Sequence, residues 1–454
     1  MADLIAAIAT AQAPGAIGVV RLSGPGAMET ADRIFRAVNG EKLVDTAGYR
    51  AHFGQLLDDG GVFDDGIATV FRAPRSYTGE DCVELSCHGG VYLTRRVLRA
   101  ALDCGARLAQ PGEFTRRAFL NGKMSLTSAE SVMQRIGAQG ALAAKAAQAG
   151  AQDVLTRRIQ AVRDQLTDGA AHLTAWADFP DEEVPEVTDT ELNERLAAAD
   201  AELTRLLDQF EAGRVLREGV ETVILGRPNV GKSTLMNALA GCERSIVTNV
   251  PGTTRDIVEE SVRLGELVLR LADTAGLRDT DDPVERIGVD RARSRLETAG
   301  LVLAVFDGSA PLTDEDRALM AELTDRPAVA IINKGDLPAL ADEDEIRRAI
   351  PHTVRLSAIQ QTGVDTLADA VAEVLGTSVL RPDEGMLFTE RQRQAAMRAR
   401  DAVRDGRQAL GAGMTFDAVT VSVEEAIGAL AELTGDTVRE SVIDAVFSQF
   451  CVGK

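Results

Sequence analysis

Gly226-Arg227-Pro228-Asn229-Val230-Gly231-Lys232-Ser233 decides the fold of the segment around it. It fits the pattern G-x-x-x-x-G-K-[ST]. An apolar run, Val220 to Leu225, precedes it, and a helical pattern, Thr234-Leu235-Met236-Asn237-Ala238-Leu239, follows it. Strand, glycine-rich turn and helix in that order are the context of a phosphate-binding loop. The glycines let backbone N–H groups turn inward on phosphate oxygens, and the helix N-terminus adds favourable partial charge. Asn229, Val230, Gly231, Lys232, Ser233 and Thr234 are therefore candidate nucleotide contacts. Lys232 would reach the β- and γ-phosphates, and the Ser233 hydroxyl would ligate Mg²⁺.

Working outward, four further apolar runs read as strands: Leu267 to Leu271, Leu301 to Phe306, Ala328 to Ile332 and Thr353 to Leu356. The segments between them are long enough for helices, which predicts a parallel sheet with crossover helices. Polar motifs follow these strands. Asp273-Thr274-Ala275-Gly276 can hold the Mg²⁺ shell and sense the γ-phosphate through a glycine amide. Asn333-Lys334-Gly335-Asp336 places an acceptor, Asp336, opposite the adjacent N1–H and 2-amino donors of guanine, which adenine lacks. Ser357-Ala358 would complete the base pocket. The set predicts a GTPase domain of the translation-factor-related type. Thr248-Asn249-Val250-Pro251-Gly252-Thr253-Thr254 would line the phosphates, with Thr254 giving Mg²⁺ its second hydroxyl.

Two positions bear on mechanism. Leu277 stands where Ras-type enzymes carry a water-orienting Gln, so hydrolysis calls for another group. Glu285 is one of several acids downstream, and spacing alone leaves it level with a solvated loop acid. Asn229, with loop carbonyls, could hold a monovalent cation beside the phosphates, supplying the charge of an arginine finger. On its own, Asn229 reads equally as a turn former.

The rest of the chain divides by composition. Residues 1 to about 120 alternate short β-like runs (Ile17 to Leu22, Gly66 to Phe71, Cys82 to Leu85) with helical ones (Ala27 to Val38, Leu93 to Leu102). This predicts an α+β unit. From about 124 to 214 the chain is rich in Ala, Leu, Gln and Arg, and Leu192, Leu196, Ala199, Leu203, Leu206 and Phe210 form one apolar helical stripe. After about 378 it turns helical again. Both helical segments are expected to form one bundle with the α/β domain inserted between them.

The 454 residues carry 49 Lys plus Arg against 70 Asp plus Glu, a net charge of −21. That excludes a uniformly basic nucleic-acid coat and leaves room for a local basic site. Residues 1–120 are nearly charge-balanced, so the acidity lies in the helical and nucleotide-binding parts. No apolar run approaches the ~20 residues that span a bilayer. Met1-Ala2-Asp3 does not open as a secretion signal does. The five cysteines form no C-x-x-C pair and suit a reducing compartment, so a cytoplasmic protein is expected.

Several separate motifs give the chain a whole-length resemblance to the bacterial MnmE (TrmE) family of tRNA-modification GTPases. They are Gly18-Val19-Val20-Arg21-Leu22-Ser23-Gly24, Tyr77-Thr78-Gly79-Glu80-Asp81, Val83-Glu84-Leu85, His88-Gly89-Gly90, Pro111-Gly112-Glu113-Phe114-Thr115, Ala118-Phe119-Leu120-Asn121-Gly122-Lys123, Asp178-Phe179-Pro180, Gly252-Thr253-Thr254-Arg255-Asp256 and Phe450-Cys451-Val452-Gly453-Lys454. The last is usually F-C-I-G-K, so Val452 is a mild departure. The resemblance implies a multidomain α/β protein. Residues 1–120 would be a folate-binding-like α+β domain that forms a homodimer. Residues 121–216 and 379–454 would form a discontinuous helical bundle, and 217–378 an inserted Ras-like P-loop GTPase domain. It implies that Arg21, Glu84, Lys123 and Lys454 bind a 5-formyl- or methylene-tetrahydrofolate, with Glu80 an alternative to Glu84. It raises Glu285 to the catalytic, water-positioning acid. It assigns K⁺ to Asn229, Thr248, Val250 and Thr253, at an interface between two GTPase domains.

Cys451 could take part in the modification chemistry or be a packed thiol. The implied activity is GTP hydrolysis coupled to addition of an aminomethyl or carboxymethylaminomethyl group at C5 of the wobble uridine of certain tRNAs. The implied partner is an MnmG-type FAD protein in a heterotetramer or larger complex, so FAD belongs to the partner. The GTPase motifs alone would equally fit a regulatory RNA- or ribosome-assembly GTPase.

Overall fold

The computed structural model describes residues 3–178, 188–241, 260–271 and 299–454. These fall into two compact units, 1–133 with 427–454, and 134–426.

The first unit is built on a seven-stranded sheet. Its strands are β1 (Ile5–Ile8), β2 (Ile17–Ser23), β3 (Phe35–Ala37), β4 (Arg50–Asp58), β5 (Gly61–Phe71), β6 (Cys82–His88) and β7 (Arg107–Leu108). They lie in the order β3-β4-β5-β6-β2-β1-β7. All neighbours are antiparallel except β1 and β7. Val20 opposes Leu85 and Leu22 opposes Val83. These apolar partners face the helices Ala27–Ile34 and Val91–Asp103, and Met28, Ile34 and Val97 close the core over them.

The reading of Ala27 to Val38 as one helix is corrected here. The helix stops at Ile34, and Phe35–Ala37 becomes an edge strand paired with β4. Phe35 and Ala37 are buried while Arg36 is exposed, so a period of two takes over where the sheet edge offers partners. β4 gave little sequence signal because only Gly54 and Leu56 along it are buried.

The second unit holds a six-stranded sheet of β8 (Val220–Leu225), β9 (Glu260–Leu264), β10 (Leu267–Leu271), β11 (Leu301–Asp307), β12 (Ala328–Asn333) and β13 (Thr353–Arg355). The order is β13-β12-β11-β8-β10-β9. Every pairing is parallel except the β9–β10 hairpin, which departs from the all-parallel expectation. The Gly265-Glu266 turn between those strands is too short for a crossover, so the pair can only be antiparallel. Leu303 and Val305 enter one apolar cluster, and Val302, Ala304 and Phe306 enter another. β11 is thus covered on both faces, which explains its unbroken apolar run.

In the same unit the apolar stripe lies on the helix Asp189–Asp208, where Leu192, Leu196, Ala199, Leu203 and Leu206 are buried. Phe210 begins the next helix, Phe210–Glu218. The helix Glu390–Gly411 packs along Asp189–Asp208. Arg404 Nε donates to Asp200 Oδ1 at 2.7 Å, and Arg407 pairs with the other oxygen at 3.2 Å. Helical segments from both sides of the six-stranded sheet therefore meet. No helix among the described residues is long and apolar enough to cross a membrane.

Candidate functional site

The nucleotide cleft forms where β8, β11 and β12 end, on the carboxyl edge of the sheet, as open α/β folds place ligand sites. β8 delivers Gly226, whose φ is +150°; a Cβ there would sit 2.4 Å from the Val305 carbonyl oxygen. Only glycine lets the loop press against β11. Asn229 takes the left-handed region at φ +63°, a conformation Asn accepts more readily than most residues. Lys232 opens the helix Lys232–Gly241, and its Nζ donates to the carbonyls of Gly226 at 2.8 Å and Arg227 at 2.9 Å. Ser233 follows on the first turn and Thr234 after it.

The base side is tied to this loop. Asn333 ends β12, and its Nδ2 donates to the Val230 carbonyl at 2.9 Å while its Oδ1 accepts from the Ala358 amide at 3.0 Å. One buried side chain thus links the phosphate loop to the Ser357-Ala358 turn. Ser357 Oγ donates to Asp336 Oδ1 at 2.6 Å, which orients an exposed carboxylate. Lys334 sits at φ +61°, and its Nζ meets Asp307 Oδ2 at 2.6 Å. Asp307 was missed in the sequence. Burial pushes its carboxyl up, but hydrogen bonds from Lys334 and Ser309 outweigh this and hold it below the usual range. Its signal was available: a carboxylate at the end of a buried parallel strand, beside the ligand edge.

Asn229, Val230, Gly231, Lys232, Asn333, Lys334, Asp336, Ser357 and Ala358 are brought together in this way. Thr248, Asn249, Val250, Pro251, Gly252, Thr253, Thr254, Asp273, Thr274, Ala275, Gly276, Leu277 and Glu285 lie outside the described residues. Among the Mg²⁺ candidates Ser233 is the one described, and a hydroxyl on the first helical turn after the loop suits that hard cation.

A second polar cleft lies in the first unit. Arg21 on β2 and Glu84 on β6 are direct register partners, and their side chains pair at 2.7 Å. The Arg21 guanidinium also lies 5.4 Å from the Tyr77 ring centre and 5.5 Å from that of Phe114. The chain's last residues close on this group. Gly112 N donates to the Cys451 carbonyl, Phe114 N to the Lys454 carbonyl at 3.2 Å, and Arg21 to the Gly453 carbonyl at 3.4 Å. Gly453 has φ +98°, and a Cβ there would lie 2.3 Å from the Ile8 carbonyl oxygen.

Arg21, Glu84 and the Lys454 backbone therefore gather around one point. Lys123 donates to the Pro74 carbonyl at 2.9 Å, on the loop before Tyr77. Cys451 is exposed. Glu80 is engaged elsewhere: it accepts from Ser23 Oγ at 2.8 Å and pairs with Arg117 at 3.1 Å. Arg117 also binds Glu113 and Asp3. Burial pushes the Glu113 carboxyl up, and Arg107, the Gln110 amide and Arg117 bring it below its ordinary value. Tyr77 and Phe114 lie within sequence motifs quoted above, but only the folded sheet reveals that they meet Arg21, and that Arg117 stands behind Glu80.

A phosphate loop after β8 and an Asn-Lys-x-Asp sequence after β12, two strands away on the same edge and joined to the loop through Asn333, define a P-loop GTPase of the α/β class. Residues 4–123 match the family described as the GTP-binding protein TrmE N-terminus, and residues 126–451 match the MnmE helical domain. Relatives of whole-chain length include the tRNA modification GTPases MnmE of Geobacillus kaustophilus (strain HTA426), 42% identical, and Heliobacterium modesticaldum (strain ATCC 51547 / Ice1), 43% identical. That of Symbiobacterium thermophilum (strain DSM 24528 / JCM 14929 / IAM 14863 / T) is 44% identical. Each comparison covers 100% of this chain and 99% of the relative. Among solved structures, the FeoB G-domain from Methanococcus jannaschii is 24% identical, covering 35% of this chain and 98% of its own, with a TM-score of 0.25, a likeness that decides nothing here. The chain belongs to the MnmE (TrmE) family of tRNA modification GTPases, and is a GTP hydrolase.

Proposed function

We propose that this protein couples GTP hydrolysis to modification of the wobble uridine of tRNA, with an MnmG-type FAD protein as partner. It would add an aminomethyl or carboxymethylaminomethyl group at C5, with a tetrahydrofolate derivative as the one-carbon donor. The observation that carries this reading is the match of the N-terminal and helical parts alike, over the whole chain, to tRNA modification GTPases. A GTPase that only regulated assembly would have no use for the N-terminal part.

The roles follow the chemistry of the two clefts. Lys232 and the loop amides neutralise the β- and γ-phosphates. Asp336 selects guanine by accepting its two adjacent donors. Ser233 and Thr254 would hold Mg²⁺, which supplies positive charge for the phosphates. Glu285 would orient the attacking water in place of the apolar Leu277. Asn229, Thr248, Val250 and Thr253 would hold K⁺, which supplies charge at the transferring phosphate. Two GTPase domains of a homodimer would meet across that ion.

In the N-terminal cleft, Glu84 offers a carboxylate to the paired N–H donors of a pterin. Arg21 and Lys123 suit its polyanionic tail, and Lys454 lies on the segment that closes over Arg21. Glu84 is preferred to Glu80 because its side chain is the more open of the two, 29% against 15%, and because Glu80 is held by both Arg117 and Ser23 while Glu84 pairs with Arg21. The proposed division is 1–120 for dimerisation and folate binding, 121–216 with 379–454 for the bundle, and 217–378 for the GTPase domain. The setting is the cytoplasm.

Nucleoside analysis of tRNA from cells lacking the protein tests the central claim. Loss of the C5-modified wobble uridine is expected, and an unchanged nucleoside profile would overturn it. Replacing K⁺ by Na⁺ should sharply lower GTP turnover, and Glu285→Ala should bind GTP while barely hydrolysing it. Equal rates in both salts would remove the K⁺ site, and unchanged turnover would give the water-positioning role to another acid.

A further inference from the structure

The phosphate loop has an anchor outside its own motif. Arg227, the second residue of the loop, extends its side chain to Asp316, with Nε 3.3 Å from Oδ2 and a side-chain exposure of 22% against 1%. Asp316 sits on the first turn of the helix Asp314–Glu322. Its Oδ2 also accepts from the Thr313 amide at 2.9 Å and the Thr313 hydroxyl at 2.8 Å, which caps that helix. Its Oδ1 is buried with no hydrogen-bond partner among the described residues. A carboxylate this deep needs a nearby cation, because an unpaired buried charge is costly. Arg227 supplies that cation as an ion pair rather than a hydrogen bond, its Nε being itself buried without a hydrogen-bond partner among the described residues, and the pairing restrains the Arg227 backbone.

That backbone matters to the nucleotide. The Arg227 carbonyl, like that of Gly226, is an oxygen that holds Lys232 Nζ. The loop is already fastened at Gly226, against β11, and at Val230, by Asn333. Arg227 lies between those two points, with its side chain aimed at Asp316. We infer that Arg227 and Asp316 are positioning residues for GTP: their ion pair pre-forms the phosphate loop, so that binding does not spend free energy on ordering it. The inference rests on the GTPase activity alone and is independent of the folate and tRNA readings.

The experiment uses the full chain and measures GTP hydrolysis together with release of a fluorescent GDP analogue. Arg227→Met keeps the apolar stem and removes the charge. Asp316→Asn keeps a capping oxygen for Thr313 and removes the charge. Each is expected to raise KM for GTP about tenfold and to speed GDP release by a similar factor, with kcat at saturation reduced less than about threefold. The double variant should be no worse than either single one, because both break the same pair. Arg317→Met is the control, since Arg317 lies on the same helix and pairs with Glu345 at the surface; it should leave KM unchanged. A KM for Arg227→Met within about twofold of the parent overturns the inference. So does a double variant whose effect is the product of the two singles, or an Arg317→Met variant with the same rise. Arg227, being partly exposed, tests the pair even if Asp316→Asn fails to fold.

Discussion

The nucleotide cleft lies at the strand ends of one sheet and the N-terminal cleft over two interior strands of the other, and they were legible to very different degrees. In the nucleotide cleft the chemistry is done by backbone, and backbone demands leave a local trace. A loop that must wrap phosphate needs glycines at fixed spacing, and the base carboxylate must follow a strand. In the N-terminal cleft the proposed binding would rest on side chains that meet only across strands. Arg21 and Glu84 are 63 residues apart and face each other through the β2–β6 register. No spacing rule predicts that pair.

The sharpest way to break the comparison is to test whether the two clefts are energetically separate. Lys232→Ala should lower GTP turnover by about a hundredfold or more, because it removes the charge aimed at the phosphates. Arg21→Ala should leave turnover and GTP affinity unchanged in the isolated protein. A GTP hydrolysis assay on both variants decides it. A large loss in Arg21→Ala would mean that the two units share one site.

The next effect concerns the base. Asp336→Asn exchanges an acceptor-only group for one that can donate. GTP affinity should fall by about a hundredfold, since a site built for two donors is then left mismatched. Affinity for xanthosine triphosphate should rise, because xanthine carries a carbonyl where guanine carries the 2-amino group. Competition binding with the two nucleotides reads this directly, and an unchanged preference would remove Asp336 from the base pocket.

What was hidden in the sequence follows the same division. The central strands of the nucleotide-binding sheet could be read because they are buried on both faces, as β11 and β12 show. The residues behind the motifs could not be read: Asp307 behind Lys334, and Asp316 behind Arg227, each act on a neighbour made close by folding. In the first unit even the elements were harder to read. β3 followed a helix without a break, and β4 is mostly exposed and polar. The hairpin of β9 and β10 was half seen, because β10 is apolar while the β9 sequence Glu-Ser-Val-Arg-Leu is not continuous.

A smaller effect is expected at the Arg21–Glu84 pair itself. Glu84→Gln removes the charge but keeps the shape. The pair is partly exposed, at 13% and 29%, so solvent screens it and the loss is well below that of a fully buried pair. About 1–2 kcal/mol of stability is expected, read as a lower melting temperature with KM for GTP unchanged. Glu80→Gln should cost at least as much, since Glu80 is joined to the more buried Arg117. If Glu84→Gln proved the more damaging of the two, the structural weight would lie at the ligand cleft and not behind it.

The smallest effect isolates the same cross-strand device where no ligand is involved. His88 ends β6, and its Nδ1 lies 2.6 Å from Asp64 Oδ1 on β5, while the His88 backbone N–H donates to Asp64 Oδ2 at 3.0 Å. The hydrogen bond to Asp64, and then its charge, raise the His88 pKa above the ordinary value. A raised folded pKa means that the protonated pair adds stability in full below the unfolded value of about 6.5, and that this is lost as pH climbs through the higher folded value. The loss is small because His88 is open to water and the backbone bond to Asp64 survives deprotonation. NMR titration of the ring should give a midpoint above about 6.5, and Asp64→Asn should bring it back there. A wild-type midpoint already at the ordinary value would show that the pair does not hold in solution. The contrast drawn from Arg21 and Glu84 would then rest on one pair of strands rather than on a property of the sheet.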